Sequence, residues 1–131
     1  MGPKWFVTVA GVALLAACGG SSSPSAPSGP QVTISDFSFS PSTLSIKAGT
    51  TVTWVNQGPM PHDTTSDTGA WASASLAPPG GGGGPYGGGE TAGGSFHFTF
   101  NTPGSYPYHC NLHPPTNSLY RNFVGTITVT Q

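Results

Sequence analysis

Charged side chains are nearly missing from this 131-residue chain: Lys, Arg, Asp and Glu together make up 5% of it, where roughly 25% is ordinary for a globular protein. The only basic residues are Lys4, Lys47 and Arg121. Neutralising a phosphate backbone takes clustered Lys and Arg, so a nucleic-acid partner is excluded, and coiled coils fall for want of charged flanks. Cysteine is reduced to Cys18 and Cys110, and methionine to Met1 and Met60. No apolar run is long enough for a hydrocarbon layer, which needs ~20 residues; the best, Trp5 to Ala17, has thirteen. Apolar residues at helical spacing do not recur after the first twenty positions, so helical bundles are excluded too. Without an N-terminal export segment about 100 residues remain, one small domain with no room for a second catalytic one.

What is present is Gly and Pro, 20 and 14 residues, more than half of them in 19–30 and 78–94. Elsewhere the chain is rich in Val, Ile, Thr, Phe and Trp, the residues that suit a half-buried pleated surface. Val32 and Ile34, Leu44 and Ile46, Val52 and Trp54, Phe96, Phe98 and Phe100, Tyr106, Tyr108 and Cys110, and Ile127 and Val129 each repeat at period two, placing one set inward and the intervening Ser, Thr and His outward. Turns fall at Ser40-Pro41, Ala48-Gly49, Gln57-Gly58-Pro59 and Thr102-Pro103-Gly104. Six or seven short strands so punctuated predict an all-β, Greek-key β-sandwich over residues 31–131. Residues 78–94 predict a long Gly-rich loop inside it.

Residues 1–17, with Lys4 ahead of the apolar run, read as a signal peptide. The run ends Leu15-Ala16-Ala17-Cys18, which resembles a bacterial lipobox, and that resemblance implies lipid attachment at Cys18 and a place at the cell envelope. An ordinary cleavage site would instead leave Cys18 as a free thiol or a disulfide partner for Cys110. Residues 18–30, rich in Gly, Ser and Pro, then predict a flexible tether.

His62 in Met60-Pro61-His62-Asp63, and Cys110 and His113 in Tyr108-His109-Cys110-Asn111-Leu112-His113, stand out as a metal set. Two imidazoles and one thiolate suit copper that alternates between Cu(II) and Cu(I). Structural zinc sites usually take four protein ligands. From Val32 onward, Phe37-Ser38-Phe39-Ser40-Pro41, Lys47-Ala48-Gly49-Thr50-Thr51-Val52-Thr53-Trp54, Pro61-His62, Pro103-Gly104-Ser105-Tyr106-Pro107-Tyr108-His109-Cys110 and Val124-Gly125-Thr126-Ile127-Thr128-Val129 follow one another. In that order they resemble a cupredoxin of the plastocyanin and amicyanin type. The resemblance implies that His62, Cys110 and His113 ligate one type 1 copper ion at one end of the sandwich. It also implies that the protein is an electron carrier and not an enzyme.

Two positions depart from that pattern. Where the family places an axial methionine just before the Val-Gly of the last strand, this chain has Phe123, with nine residues between it and His113; an apolar side chain at that place resembles the sites of some laccases. The axial neighbour stays open among Phe123, a group in 114–122 and the Pro61 carbonyl. Asp63 stands where an Asn commonly ties the two ligand loops together, and the Asn111 amide is the expected partner of its carboxylate.

His109 is expected at the surface by strand parity, and His97 in solvent; Trp54, Phe96, Phe98 and Tyr108 are expected in the core. The segment from Asp67 to Trp71 reads as a turn with no further role. No His-x-His pairs are present for a multicopper cluster. The expected partners are redox proteins, which would meet a monomer at an apolar ring of Met60, Pro61, Leu112, Pro114 and Pro115 around His113. The rival function is a copper module for delivery or storage, which would favour a Met-rich or flexible site.

Overall fold

Each of the six period-two segments forms a strand in the structure, a computed structural model that describes Gly2 and residues 29–80 and 93–131. Apart from Gly2, the expected signal segment, Cys18, the tether as far as residue 28 and positions 81–92 of the Gly-rich loop lie outside the described residues.

The strands are β1 (Gln31–Ser35), β2 (Ser38–Ser40), β3 (Thr43–Lys47), β4 (Thr50–Asn56), β5 (Thr65–Ser66), β6 (Ser95–Phe100), β7 (Gly104–His109) and β8 (Val124–Thr130). Among the described residues eight strands stand where six or seven were expected, because β2 and β5 span only three and two residues. Pieces that short cannot display an alternation, and pairing to a neighbour is what makes them strands. The chain builds one sheet in the order β2-β1-β4-β6 and a second in the order β3-β8-β7-β5. β1 runs parallel to β4, and β3 parallel to β8, so β3 and β4 lie on opposite sheets.

The inward sets meet between the layers. Val32, Ile34, Val52, Trp54, Tyr108, Cys110, Phe123 and Ile127 are completely buried. Each large apolar side chain so buried stabilises the fold by roughly 1.5–3 kcal/mol. Trp54 packs on Trp71 and Tyr108, with ring centroids 5.3 and 5.6 Å apart. Trp71 is thus core and not merely part of a turn: it is buried, and its indole N–H donates to Thr64 Oγ1 at 3.1 Å. Thr64 is buried as well, so this bond fixes the chain one residue beyond Asp63.

Gly125 faces Tyr108 across the β7–β8 ladder. A Cβ there would lie 2.2 Å from Tyr108 Cζ, so the Val-Gly step exists to let the tyrosine ring lie flat against β8. That packing sets the spacing between Cys110, just past the end of β7, and Phe123, just before β8.

Candidate metal centre

His62, Cys110 and His113 converge at one end of the sandwich, their donor atoms all within 4.8 Å of one another. All three are buried, His62 and Cys110 completely. Cys110 arrives as the next inward residue of the β7 alternation after Tyr108. His113 follows in a tight turn. His62 sits in the β4–β5 connection, pinned to Leu76 by two main-chain bonds of 2.7 and 3.2 Å.

Asn56, at the end of β4, locks that connection and carried no signal in the sequence beyond being a polar residue after Trp54 and Val55. Its amide donates to the Met60 and Leu76 carbonyls at 2.8 and 2.9 Å, and its oxygen accepts the Gly58 N–H at 2.9 Å. Completely buried, it has every one of these bonds at stake, because an unpaired polar group there would cost about 1–3 kcal/mol.

The Cys110 sulfur lies 3.9 Å from His62 Nδ1 and 3.8 Å from His113 Nδ1. Donors about 2.0 Å (nitrogen) and 2.3 Å (sulfur) from a shared ion stand about 3.7 Å apart in a trigonal plane and about 3.5 Å apart in a tetrahedron. Both sulfur-to-nitrogen spacings lie close to what a shared ion requires, and the donor set fits copper.

Hydrogen bonds hold the sulfur and the two ligand loops. The Asp63 N–H donates to Cys110 Sγ at 3.4 Å, and the Asn111 N–H donates to Asp63 Oδ1 at 2.6 Å. The tie between the loops therefore exists, but the main chain of Asn111 makes it. Its side-chain amide donates instead to Thr65 Oγ1 at 2.9 Å. The reason is that the Asp63 carboxylate, buried next to the thiol, is reached by the N–H directly after Cys110.

Burial pushes the Cys110 thiol above its ordinary range, with the Asp63 N–H opposing. Burial, then the neighbouring His62, holds His113 below its ordinary range. A metal-free site at neutral pH thus presents a neutral imidazole and a protonated thiol.

Aromatic rings wall the cluster. Phe123, completely buried, meets His62 edge-to-face with centroids 5.1 Å apart and offers no lone pair. Phe37 and Tyr120 each stand 5.1 Å from His113. Asp36, which the sequence did not flag, bonds His62 Nε2 through Oδ1 at 2.8 Å. Around His113, Met60 and Leu112 are 40% and 49% exposed, Pro61 and Pro114 are exposed, and Pro115 is half-buried. His97 is exposed and His109 only half-buried. The latter's ring contacts Asp67 Oδ1 and Asn111 Oδ1.

Comparison with known proteins follows the same lines. The profile of the family described as copper binding proteins, plastocyanin/azurin family, matches residues 29–130. Amicyanin of Paracoccus denitrificans is 35% identical over 83 residues, which cover 63% of this chain and 56% of the relative, so the chain spans little more than half of that protein. Plastocyanin of Scenedesmus fuscus is 36% identical over 91 residues, covering 70% of this chain and 85% of the relative. Among solved structures, a purple cupredoxin from Nitrosopumilus maritimus superposes with a TM-score of 0.53 at 26% identity, over 77% of this chain and 99% of that one. An oxidized mutant of amicyanin reaches a TM-score of 0.57 at 24% identity, over 80% and 85% of the two chains, a likeness of fold alone.

Proposed function

The chain belongs to the plastocyanin/azurin family of copper-binding proteins, and from that premise we propose that it is a one-electron carrier whose copper is held by His62, Cys110 and His113. The observation that supports this most directly is the buried set of two nitrogens and one sulfur, with 3.8 and 3.9 Å from the sulfur to the imidazole nitrogens. Bound copper supplies the exchange of one electron between Cu(II) and Cu(I).

The chain's own residues keep reorganisation small. Cys110 and the two histidines sit on a strand end and on loops fixed by Asn56, Asp63 and the His62–Leu76 pair, so their positions do not depend on the ion's charge. Phe123, Phe37 and Tyr120 exclude water. Exposed Met60, Leu112, Pro61 and Pro114 make an apolar rim at His113 on which a redox protein can dock by desolvation. The lone methionine of the domain, Met60, weighs against the delivery module.

Residues 1–17 and Cys18 extend the proposal: the domain is exported and held at a cell envelope by lipid on Cys18, where several acyl chains make attachment stable. Lipid labelling of the precursor that persists in Cys18→Ala would remove this part.

The experiment for the site is the visible spectrum. Loaded with Cu(II), the domain should show an intense thiolate-to-copper band, and Cys110→Ser should abolish it. Copper uptake without that band would turn the assignment toward delivery or storage.

A further inference from the structure

The tip of the β1–β2 hairpin consists of two residues, Asp36 and Phe37, enclosed by the Ser35–Ser38 pair, and both turn toward the metal cluster. Asp36 Oδ1 lies 2.8 Å from His62 Nε2. A carboxylate only accepts, so Nε2 carries the proton and Nδ1, the nitrogen 3.9 Å from Cys110 Sγ, keeps its lone pair free.

Three further features serve the same contact. Phe37 holds a φ of 63°, a left-handed conformation that costs a non-glycine residue roughly 1–3 kcal/mol; its ring then packs at a tilt against Tyr120, centroids 4.5 Å apart, and is set edge-on to His113. Gly58 leaves the space in which Asp36 and His62 meet, since a Cβ there would lie 2.6 Å from Asp36 Oδ1 and 3.2 Å from His62 Nε2. The Gln57 and Gly58 N–H groups both donate to the Ile34 carbonyl, at 2.8 and 3.2 Å, which clamps the end of β1 to the turn that leads into His62.

We propose that Asp36 is a positioning residue of the copper centre, orienting His62 and setting its tautomer through Nε2 so that Nδ1 faces the metal, and placing one negative charge against that imidazole. The inference rests on the ligand assignment above. Partners of this kind raise the basicity of a ligating histidine and commonly govern metal affinity. The added negative charge favours Cu(II) over Cu(I).

The test compares wild type, Asp36→Asn, Asp36→Ala and Gly58→Ala in copper affinity, measured by competition with a chelator, and in reduction potential. Thermal unfolding of each metal-free protein serves as the control for folding. Asp36→Ala should lose about 10- to 100-fold in copper affinity. Gly58→Ala, which leaves the carboxylate in the chain but displaces it, should lose affinity in the same direction. Asp36→Asn, which keeps an acceptor oxygen and drops the charge, should retain more affinity than Asp36→Ala while its potential rises. Wild-type affinity and potential in all three variants, with only the metal-free stability altered, overturns the proposal and leaves Asp36 a structural residue. A wild-type protein that takes up no copper overturns the ligand assignment and this inference together, whereas unchanged variants of a copper-binding wild type overturn this inference alone.

Discussion

Gly125→Ala probes the wall behind the metal centre. The new Cβ would stand 2.2 Å from Tyr108 Cζ, 2.4 Å from its hydroxyl oxygen and 2.7 Å from Cε1, all far inside van der Waals contact. The ring has nowhere to retreat: Tyr108 is completely buried, with Phe39, Trp54 and Trp71 at centroid distances of 4.7, 5.6 and 5.8 Å. Overpacking of this kind costs about 1–3 kcal/mol. At about 4–8 °C per kcal/mol for a domain near 100 residues, the metal-free protein should melt about 4–24 °C lower. The displacement also propagates, because Tyr108 precedes Cys110 by two residues and Gly125 follows Phe123 by two. The copper-loaded variant should therefore show a shifted or weakened thiolate band as well. Tyr108→Phe in the same chain would remove the contact at the hydroxyl and leave the one at Cζ, so it should restore only part of the lost stability. Circular dichroism melting and visible absorption measure both effects. A melting temperature within about 2 °C of wild type, a few tenths of a kcal/mol on that scale, together with an unchanged band would refute the claim that this glycine is required by the ring.

The other predictions concern the centre and its surroundings. Phe123→Met, measured by voltammetry, should lower the reduction potential, because a thioether donor supports Cu(II) where the phenyl ring offers nothing; an unchanged or higher value would place the axial neighbour elsewhere, at the Pro61 carbonyl or in 114–122. The metal-free domain should lose stability in acid. His113 is held below its ordinary value of 6.5, so the unfolded chain takes up the proton first and stability falls as pH drops below that value; denaturant melts from pH 7 to 5 that show no loss would contradict this. It should also lose stability in alkali, where burial raises Cys110 above 9.0 and Tyr108 from 10.0 to about 12. There the unfolded chain gives up its protons first, and Tyr108 alone removes roughly 2–3 kcal/mol between its two values; melts that hold steady from pH 8 to 12 would contradict it. Finally, electron transfer to a redox protein should slow in Leu112→Lys and vary little with salt in the wild type, since the expected domain carries only Lys47 and Arg121 against four carboxylates. A steep salt dependence, or no loss in Leu112→Lys, would move the docking surface, with His109 the next place to look.

Local pattern was enough for the six longer strands and for singling out His62, Cys110 and His113 as candidates. Alternation at period two records which face of a strand is buried, so Val32, Trp54, Phe100, Tyr108 and Ile127 declared their inward positions in the sequence. His62, Cys110 and His113 were legible because a cysteine just past a strand, a histidine three residues on and a histidine in a distant loop are a rare combination in a chain with so few titratable groups. The two shortest strands were not legible, since β2 and β5 are strands only by virtue of the neighbours they pair with. Nor was the support of the site. Asp36 lies 26 positions before His62, and only the tight β1–β2 tip and the bare Gly58 bring the two together; Asn56 is one more polar residue until burial turns its amide into the lock of the His62 connection. The bond between the ligand loops makes the same point: the sequence offers Asn111 two amides for Asp63, and the turn after β7 decides that the main-chain N–H is the one that arrives. Burial pattern and donor chemistry are properties of neighbouring residues, whereas a hydrogen bond between distant segments depends on where two sheets and their loops place each atom, and that is settled only when the chain has folded.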